Sequence, residues 1–233
     1  WTEIQPLLQG LTTAAVPQAP AIRELQMAGS RIWPKPVSAT DLKEPLQVAA
    51  VPYQENGFLV DIDLSGSVSS YDFLSGVTYY IAQSFYIAGT ATSTFQPGCV
   101  VKYGNDAWLI LHCPVATPPA GQLMPVLTSK DDDAFGAMIP GSTHAPTYMA
   151  SKAIWMYYVE QYQTDIKSMR IRWAKKGIQY DAYTGNGVNH TVKDSLFQKC
   201  LTGVHAEVPD GSVTLINVRK CDVTTPFYCN CDG

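Results

Sequence analysis

Charged residues are scarce in this chain, and several chemical signatures are missing from it. Only 15% of its 233 residues are charged, against a usual share of about 25% in soluble proteins. The formal net charge of −4 gives no reason to expect a nucleic acid partner, and no run of ~18 apolar residues is present that would span a membrane. A Cys-x-x-Cys pair, a glycine-rich phosphate loop and a Gly-x-Ser-x-Gly nucleophile elbow are also missing. These absences argue against the common nucleotide-binding, zinc-binding and serine hydrolase classes.

Short segments rich in β-branched and aromatic residues are what the chain contains instead. It has 16 Pro, 17 Gly and 13 Tyr, and from residue 57 onward pieces such as FLVDIDL, VTYYIA, AWLILHC and SVTLINV are separated by turn-forming residues. We find no internal repeat, and the best helix candidate is Ser151–Gln163. The pattern predicts a Pro-rich irregular segment over residues 1–56, packed on the core of a single β-rich domain over 57–233.

Alternation of apolar and polar residues indicates the kind of sheet. In FLVDIDL, the apolar residues through Leu64 fall on one face and the two aspartates on the other, which is typical of a strand with one solvated face. Parallel sheets are usually covered on both faces and built from continuous apolar runs. The segment KSMRIRWAKKGIQYDAY alternates as well, and its Lys-Lys-Gly link predicts a tight hairpin. We therefore predict an antiparallel sandwich or barrel-like domain with long loops and little helix.

One motif points to a different class of protein. The Asp63–Ser67 stretch has the form Asp-x-Ser-x-Ser and resembles the start of the metal-dependent site of von Willebrand factor A adhesion domains. That resemblance implies a divalent cation held by Asp63, Ser65, Ser67 and Thr143. Lysines stand where the family supplies a further carboxylate, and two arginines alternate in what would be a buried strand. The preferred interpretation is a half-exposed strand, Phe58–Leu64, without a metal.

The candidate binding residues are the basic side chains on the outer face of the predicted hairpin. They are Arg170, Arg172, Lys175 and Lys176. Such a face could meet an anionic glycan or an acidic protein surface. Charged strand faces are also ordinary solvated surfaces, and that alternative stays open.

No arrangement of catalytic residues stands out. The four histidines lack the spacing of metal ligands, and His112, inside AWLILHC, is interpreted as a structural histidine. The triplet Asp131-Asp132-Asp133 could bind a cation or act as a general base, but in the polar stretch TSKDDDAFG it is more typical of a solvated turn. The six cysteines lack zinc-site spacing. We therefore expect no enzymatic activity, no cofactor and no metal.

A large, β-rich, weakly charged and loop-heavy domain without a chemical site resembles virus capsid and capsid-spike domains. The stretch YQENGFLVDIDL resembles the core strands of astrovirus-type capsid spikes most. The resemblance implies a virion surface location, attachment to a host-cell receptor that is a protein or a glycan, and recognition by neutralising antibodies. Together with the 11% aromatic content, it predicts a homodimer. The chain begins at Trp1 without an initiator Met, which predicts a fragment or processed product.

Overall fold

The computed structural model describes residues 62–157, 164–181, 188–209 and 211–230. The predicted 1–56 segment and the start of the Phe58–Leu64 strand lie outside these ranges. All regular elements among the described residues are strands, and none of these residues form a helix that could cross a membrane. The strands are β1 (Ile62–Val68), β2 (Asp72–Phe73), β3 (Thr78–Ala88), β4 (Ser93–Phe95), β5 (Val100–Tyr103), β6 (Ala107–His112), β7 (Val115–Ala116), β8 (Val126–Ser129), β9 (Ala150–Tyr157), β10 (Asp165–Lys167), β11 (Arg170–Arg172), β12 (Ala174–Asp181), β13 (Asn189–Lys193), β14 (Leu196–Glu207), β15 (Ser212–Ile216) and β16 (Arg219–Cys229).

Each strand pairs in parallel with strands one turn earlier or later in the chain. The main sheet has the order β1-β3-β5-β8-β11-β14-β12-β9-β6, with β16 added beside β14, and two short sheets, β2-β4-β7 and β10-β13-β15, form the other wall. Thr78 pairs with Val100 and Arg170 pairs with Leu196, so one turn takes 22 residues at the first pair and 26 at the second. The described residues form a parallel β-solenoid of about six turns.

Residues in the left-handed backbone region mark the corners of the later turns. Ser168, Asp194 and Asn217 have φ angles of 55°, 50° and 49° at the corner that leads into the main sheet. Asn and Asp tolerate this conformation better than most side chains because their short polar groups bond locally. The Asn217 amide donates to the Asp194 carboxylate at 2.7 Å, which links two successive turns at this corner. We name these three residues the corner ladder.

The core is a set of inward columns that run along the solenoid axis. One column consists of Ile87, Leu111, Met156, Tyr180 and Ala206, which are register neighbours on successive turns and are each 0% exposed. Burying a large apolar side chain contributes about 1.5–3 kcal/mol. Because the apolar side chains of each turn pack against those of the next turn, adjacent turns stabilise one another.

A long connection between β8 and β9, residues 130–149, folds back over the outer face of the sheet. Beneath it Val100, Lys102, Val126 and Thr128 point away from the core and are nevertheless buried. We call residues 130–149 the covering loop. It explains why β5 and β8 are buried on both faces, whereas β6 alternates between buried and half-buried residues.

The predicted antiparallel sandwich or barrel is wrong, because the strands are parallel. Asp63 is exposed and Leu64 is buried, so the predicted alternation is present at these positions. The inference from alternation to antiparallel pairing fails because a solenoid leaves the outer face of a parallel sheet open to water. β1 pairs in parallel with β3 along nearly its whole length.

Two local predictions are also wrong. The predicted hairpin over KSMRIRWAKKGIQYDAY is instead two consecutive strands of one sheet, β11 and β12, separated by Trp173 with a φ of 54°. The predicted helix is strand β9 as far as Tyr157, and its remaining residues, 158–163, lie outside the described ranges. The chain also repeats structurally, although we find no repeat in the sequence.

Candidate functional site

Aromatic side chains gather on the outer face of the main sheet, along the second half of its long strands. In β6, burial alternates so that Trp108 and His112 point outward. Trp155 is the register partner of Gln179, which pairs with His205, which pairs with Tyr228. The row therefore runs along the solenoid axis, one residue per turn. We call this surface the aromatic face; its members are Tyr86, Trp108, Lys152, Trp155, Tyr157, Gln179, Asp181, His205, Glu207 and Tyr228.

The rings of the aromatic face pack against one another within and between turns. The Trp108 and Trp155 ring centroids are 5.5 Å apart, and those of Trp155 and Tyr157 are 4.9 Å apart. The His205 and Tyr228 rings stack at 4.5 Å, 14° from parallel. Because these contacts already restrict the rings, a ligand that packs on them would remove little further side-chain entropy. Tyr228 keeps 45% of its surface exposed, and Tyr86, Trp108, Trp155 and Tyr157 are half-buried, so these rings present part of their surface to solvent. The His205 side chain, stacked on Tyr228, is only 12% exposed.

The Lys152 ammonium lies over the indole rings of Trp108 and Trp155. Its Nζ atom is 3.6 Å from the Trp155 ring centroid and 4.9 Å from that of Trp108, which is cation–π geometry. Burial lowers the pKa of the Lys152 ammonium; Asp181 and Glu207 oppose the shift, and Lys176 adds to it. The aromatic face therefore carries a donor in the middle of its rings.

Two carboxylates lie side by side at the end of the aromatic face. Asp181 and Glu207 are register partners on adjacent strands, so their backbones are about 5 Å apart. Asp181 accepts hydrogen bonds from Trp155 Nε1 at 2.5 Å and from Gln179 Nε2 at 2.7 Å. The Glu207 carboxylate lies 2.6 Å from His205 Nε2 and is 49% exposed. Glu207 is therefore fixed on one side and accessible to a ligand on the other.

The prediction that the Asp131–Asp133 triplet is a solvated turn is wrong for its first two members. Asp131 and Asp132 are 1% and 3% exposed. Asp132 accepts from Thr128 Oγ1 at 2.6 Å and from Arg172 Nη1 at 2.7 Å, and Asp131 accepts from the Thr143 amide at 2.8 Å. These bonds satisfy both carboxylates and tie the covering loop to the sheet.

The third aspartate of the triplet lies at the edge of the covering loop. Asp133 hydrogen-bonds His144 and accepts from Ser142 Oγ at 3.3 Å, and Lys102 Nζ is 3.9 Å away. Burial alone would raise the pKa of Asp133, but the bond to His144 and the charges of His144 and Lys102 lower it below the usual value. The triplet is therefore an anchor for the loop, and its oxygens are already occupied.

The four predicted basic residues do not form one surface. Arg172 pairs with Asp132 under the covering loop, and both it and Arg170 lie over the Phe135 ring, with Cζ at 4.8 and 5.3 Å from its centroid. Lys175 forms an exposed pair with Asp106. Lys176 is half-buried on β12. Arg170 also lines a cavity at the corner ladder.

The residues that the adhesion-domain resemblance would bring together are spread out. Asp63, Ser65 and Ser67 are exposed along β1, which they occupy as strand residues and not as a loop after it. Thr143 belongs to the covering loop, where its amide bonds Asp131. The helices of that family have no counterpart among the described residues. No group of three or more His, Cys, Asp or Glu side chains suited to a metal occurs in the part of the chain that the structure describes.

Comparison of the chain with protein-family models, curated proteins and solved structures finds no significant match. What the protein does must therefore be inferred from the geometry of its own residues.

Sequence reasoning missed every member of the aromatic face as a functional residue. Trp155 and Tyr157 fall in the segment interpreted as a helix, and the two carboxylates are separated by 26 residues. A signal was available in the pair GIQYD and GVHAE, residues 177–181 and 203–207, which share the order Gly, β-branched, polar, variable, acidic. Read as a repeat, it would have placed Asp181 beside Glu207.

Proposed function

We propose that this protein binds an extended carbohydrate along the aromatic face of its solenoid. The observation that carries this proposal is the row of partly exposed rings on β6, β9 and β16, with carboxylate and ammonium groups between them. On β12 the row is continued by Gln179, which is 4% exposed. A pyranose ring has flat C–H faces that pack on aromatic rings, and its hydroxyls require both donors and acceptors. The aromatic face offers both kinds of contact on a surface held rigid by the sheet.

The linear arrangement favours a polymer over a compact ligand. Trp108 lies on β6 and Tyr228 on β16, and β9, β12 and β14 lie between them in the sheet. Four strand spacings make the row about 19 Å long. The register places Trp155, Gln179, His205 and Tyr228 beside one another, one on each strand, so a linear ligand laid along the row would contact successive turns.

Carbohydrate binding also suits the attachment role that the capsid-spike resemblance predicts. In that case the receptor is a glycan and contacts the aromatic face. The viral assignment, the virion surface location, the recognition by antibodies, the homodimer and the lack of enzymatic activity all stay predictions. They rest on the sequence resemblance and on composition, and the solenoid fold removes the barrel on which the resemblance partly depended.

Titration with a panel of soluble neutral polysaccharides, followed by intrinsic tryptophan fluorescence, tests the proposal. We expect saturable quenching by at least one of them, because Trp108 and Trp155 lie in the site. The Trp108→Ala variant should bind about tenfold more weakly, since loss of one stacked ring removes about 0.5–1.5 kcal/mol beyond its buried area.

The matched control is Tyr148→Ala, which removes a 37% exposed ring from the covering loop, outside the aromatic face. It should bind like the wild-type protein. Equal losses in both variants, or no binding to any polysaccharide in the panel, would refute the proposal.

A further inference from the structure

A cavity of about 350 Å³, separate from the aromatic face, lies where β11, β14 and β16 begin. One wall is the connection before β8, including Gly121, Gln122 and Met124, and the other wall is built from the corner ladder and the first residues of the three strands. It shares no residue with the aromatic face. We call it the corner pocket.

Two arginines reach the corner pocket from the main sheet. Arg170 and Arg219 both flank Leu196 in the parallel register, so their backbones are about 10 Å apart. The Arg170 guanidinium packs one face on the Phe135 ring, with Cζ 5.3 Å from its centroid, and a carboxylate would bind at the N–H edge of the group. Among the described residues neither guanidinium has a carboxylate within ion-pair distance. The Arg170 Nε atom is buried and makes no hydrogen bond.

A buried hydroxyl in the same pocket also lacks a partner. Ser168 is 2% exposed, and its Oγ atom makes no hydrogen bond. Native proteins satisfy nearly all buried polar atoms, and exceptions often mark a place where a water or ligand belongs. Ser168 and Arg170 are two residues apart and line one cavity, so a single oxygen-bearing ligand would satisfy both.

The remaining charged side chain of the pocket restricts the ligand. Asp194 lies between the serine and Asn217 in the corner ladder, and one of its carboxylate oxygens accepts from Asn217. Its negative charge would repel a dianion more than a monoanion. Its acceptor oxygens and the amide groups of Asn217 and Gln122 suit hydroxyl groups. The lining therefore matches a singly charged carboxylate on a carrier that has several hydroxyls.

We propose that the corner pocket binds the carboxylate of an acidic sugar, with Arg170 and Arg219 holding the carboxylate oxygens and Ser168 Oγ donating to one of them. Arginine suits this task because its planar fork matches a carboxylate. The site differs from the aromatic face in its ligand chemistry and does not depend on it.

Isothermal titration of the whole chain with D-glucuronate tests this site, with D-glucose as the uncharged counterpart. Glucuronate should bind saturably and glucose should not. Arg219→Gln should weaken glucuronate binding about tenfold, since a hydrogen bond to a charged group is lost. Lys220→Gln removes the same charge from the next, also exposed, residue of β16 and should leave the affinity within about twofold of wild type.

A second variant removes the buried hydroxyl without straining the corner. Ser168→Gly keeps a residue that accepts the φ of 55°, and it should weaken glucuronate binding severalfold. Inorganic phosphate that binds more tightly than glucuronate, or equal losses in Arg219→Gln and Lys220→Gln, would overturn the proposal. So would an absence of glucuronate binding up to roughly 10 mM. Trp108 does not line the corner pocket, so Trp108→Ala should bind glucuronate with the affinity of the wild-type protein. The glucuronate titration therefore tests the corner pocket alone, and the polysaccharide titration tests the aromatic face.

Discussion

Asp132 is the residue on which the attachment of the covering loop depends most. It is nearly fully buried and accepts from Thr128 and Arg172, so its loss leaves a partly buried guanidinium without a counter-charge. We expect Asp132→Asn to lower the free energy of unfolding by about 3 kcal/mol, as measured by urea denaturation.

The matched control for this variant is Asp106→Asn. Asp106 is paired with Lys175 but 58% exposed, and its φ of 57° suits Asn as well as Asp. Its loss should cost less than about 1 kcal/mol. Similar costs for the two variants would show that the buried pair contributes no more than a surface pair.

His190 makes stability depend on pH. Burial lowers the pKa of its imidazole to about 4, against the weaker opposing charge of Asp165. Its Nδ1 atom lies 3.4 Å from the Thr164 amide, which donates to it, so the neutral ring is the one that the fold accommodates. At pH values between the unfolded pKa of about 6.5 and the folded pKa, His190 is protonated in the unfolded chain and neutral in the folded one.

The free energy of unfolding should therefore fall as the pH is lowered from 7 toward 4. Urea denaturation of wild type and His190→Gln at several pH values checks this expectation. The stability difference between the two proteins should shrink across that window. A difference that is independent of pH would contradict the role given to His190.

At the scale of elements, glycines allow two successive turns to approach closely. A Cβ atom at Gly177 would lie 2.5 Å from the Gly203 carbonyl oxygen and 2.7 Å from the Phe197 ring. Backbone cannot move aside as a flexible side chain can. We expect Gly177→Ala to cost about 1–3 kcal/mol, measured as a drop in Tm. Lys176→Ala, at the half-buried neighbouring position, should change Tm little, and an equal drop in both would contradict the packing argument.

Several strand elements were predictable from sequence, β9 was misinterpreted as a helix, and the arrangement of the strands was not predictable. The alternation at Ile62–Leu64 indicates one wet face, and the structure has one. A strand's own side-chain pattern does not reveal the direction of its partner, because parallel and antiparallel strands alternate alike. The repeat is hidden because the turns differ in length: the covering loop makes Ala107 pair with Ala150, although Ala150 pairs with Ala174 only 24 residues later.

The candidate site was unpredictable for the same reason. The functional side chains come from several turns, and only three local groups hold more than one of them. These are Lys152, Trp155 and Tyr157 on β9, Gln179 with Asp181 on β12, and His205 with Glu207 on β14. The Asp131–Asp133 triplet was misinterpreted because charge runs are normally solvated, whereas its first two members are buried. Its burial results from the loop that folds over it, which is a long-range contact.

At the scale of the whole molecule, stability should vary along the solenoid axis. Each turn contacts only its neighbours, so turns in the middle are supported on both sides. β12 is paired with β9 and β14, whereas β16 is paired with β14 alone among the described strands. Hydrogen exchange should therefore be slowest in β9 and β12 and faster in β16. Uniform exchange along the chain would indicate a single cooperative unit.

The most direct test of carbohydrate binding along the aromatic face is the dependence of affinity on ligand length. Using oligosaccharides of increasing length, cut from a polysaccharide that binds, isothermal titration should give affinities that rise with each added sugar. The rise should stop when the ligand reaches about 19 Å, the span of the row. Affinity that is already maximal with a single sugar or a disaccharide would contradict the account.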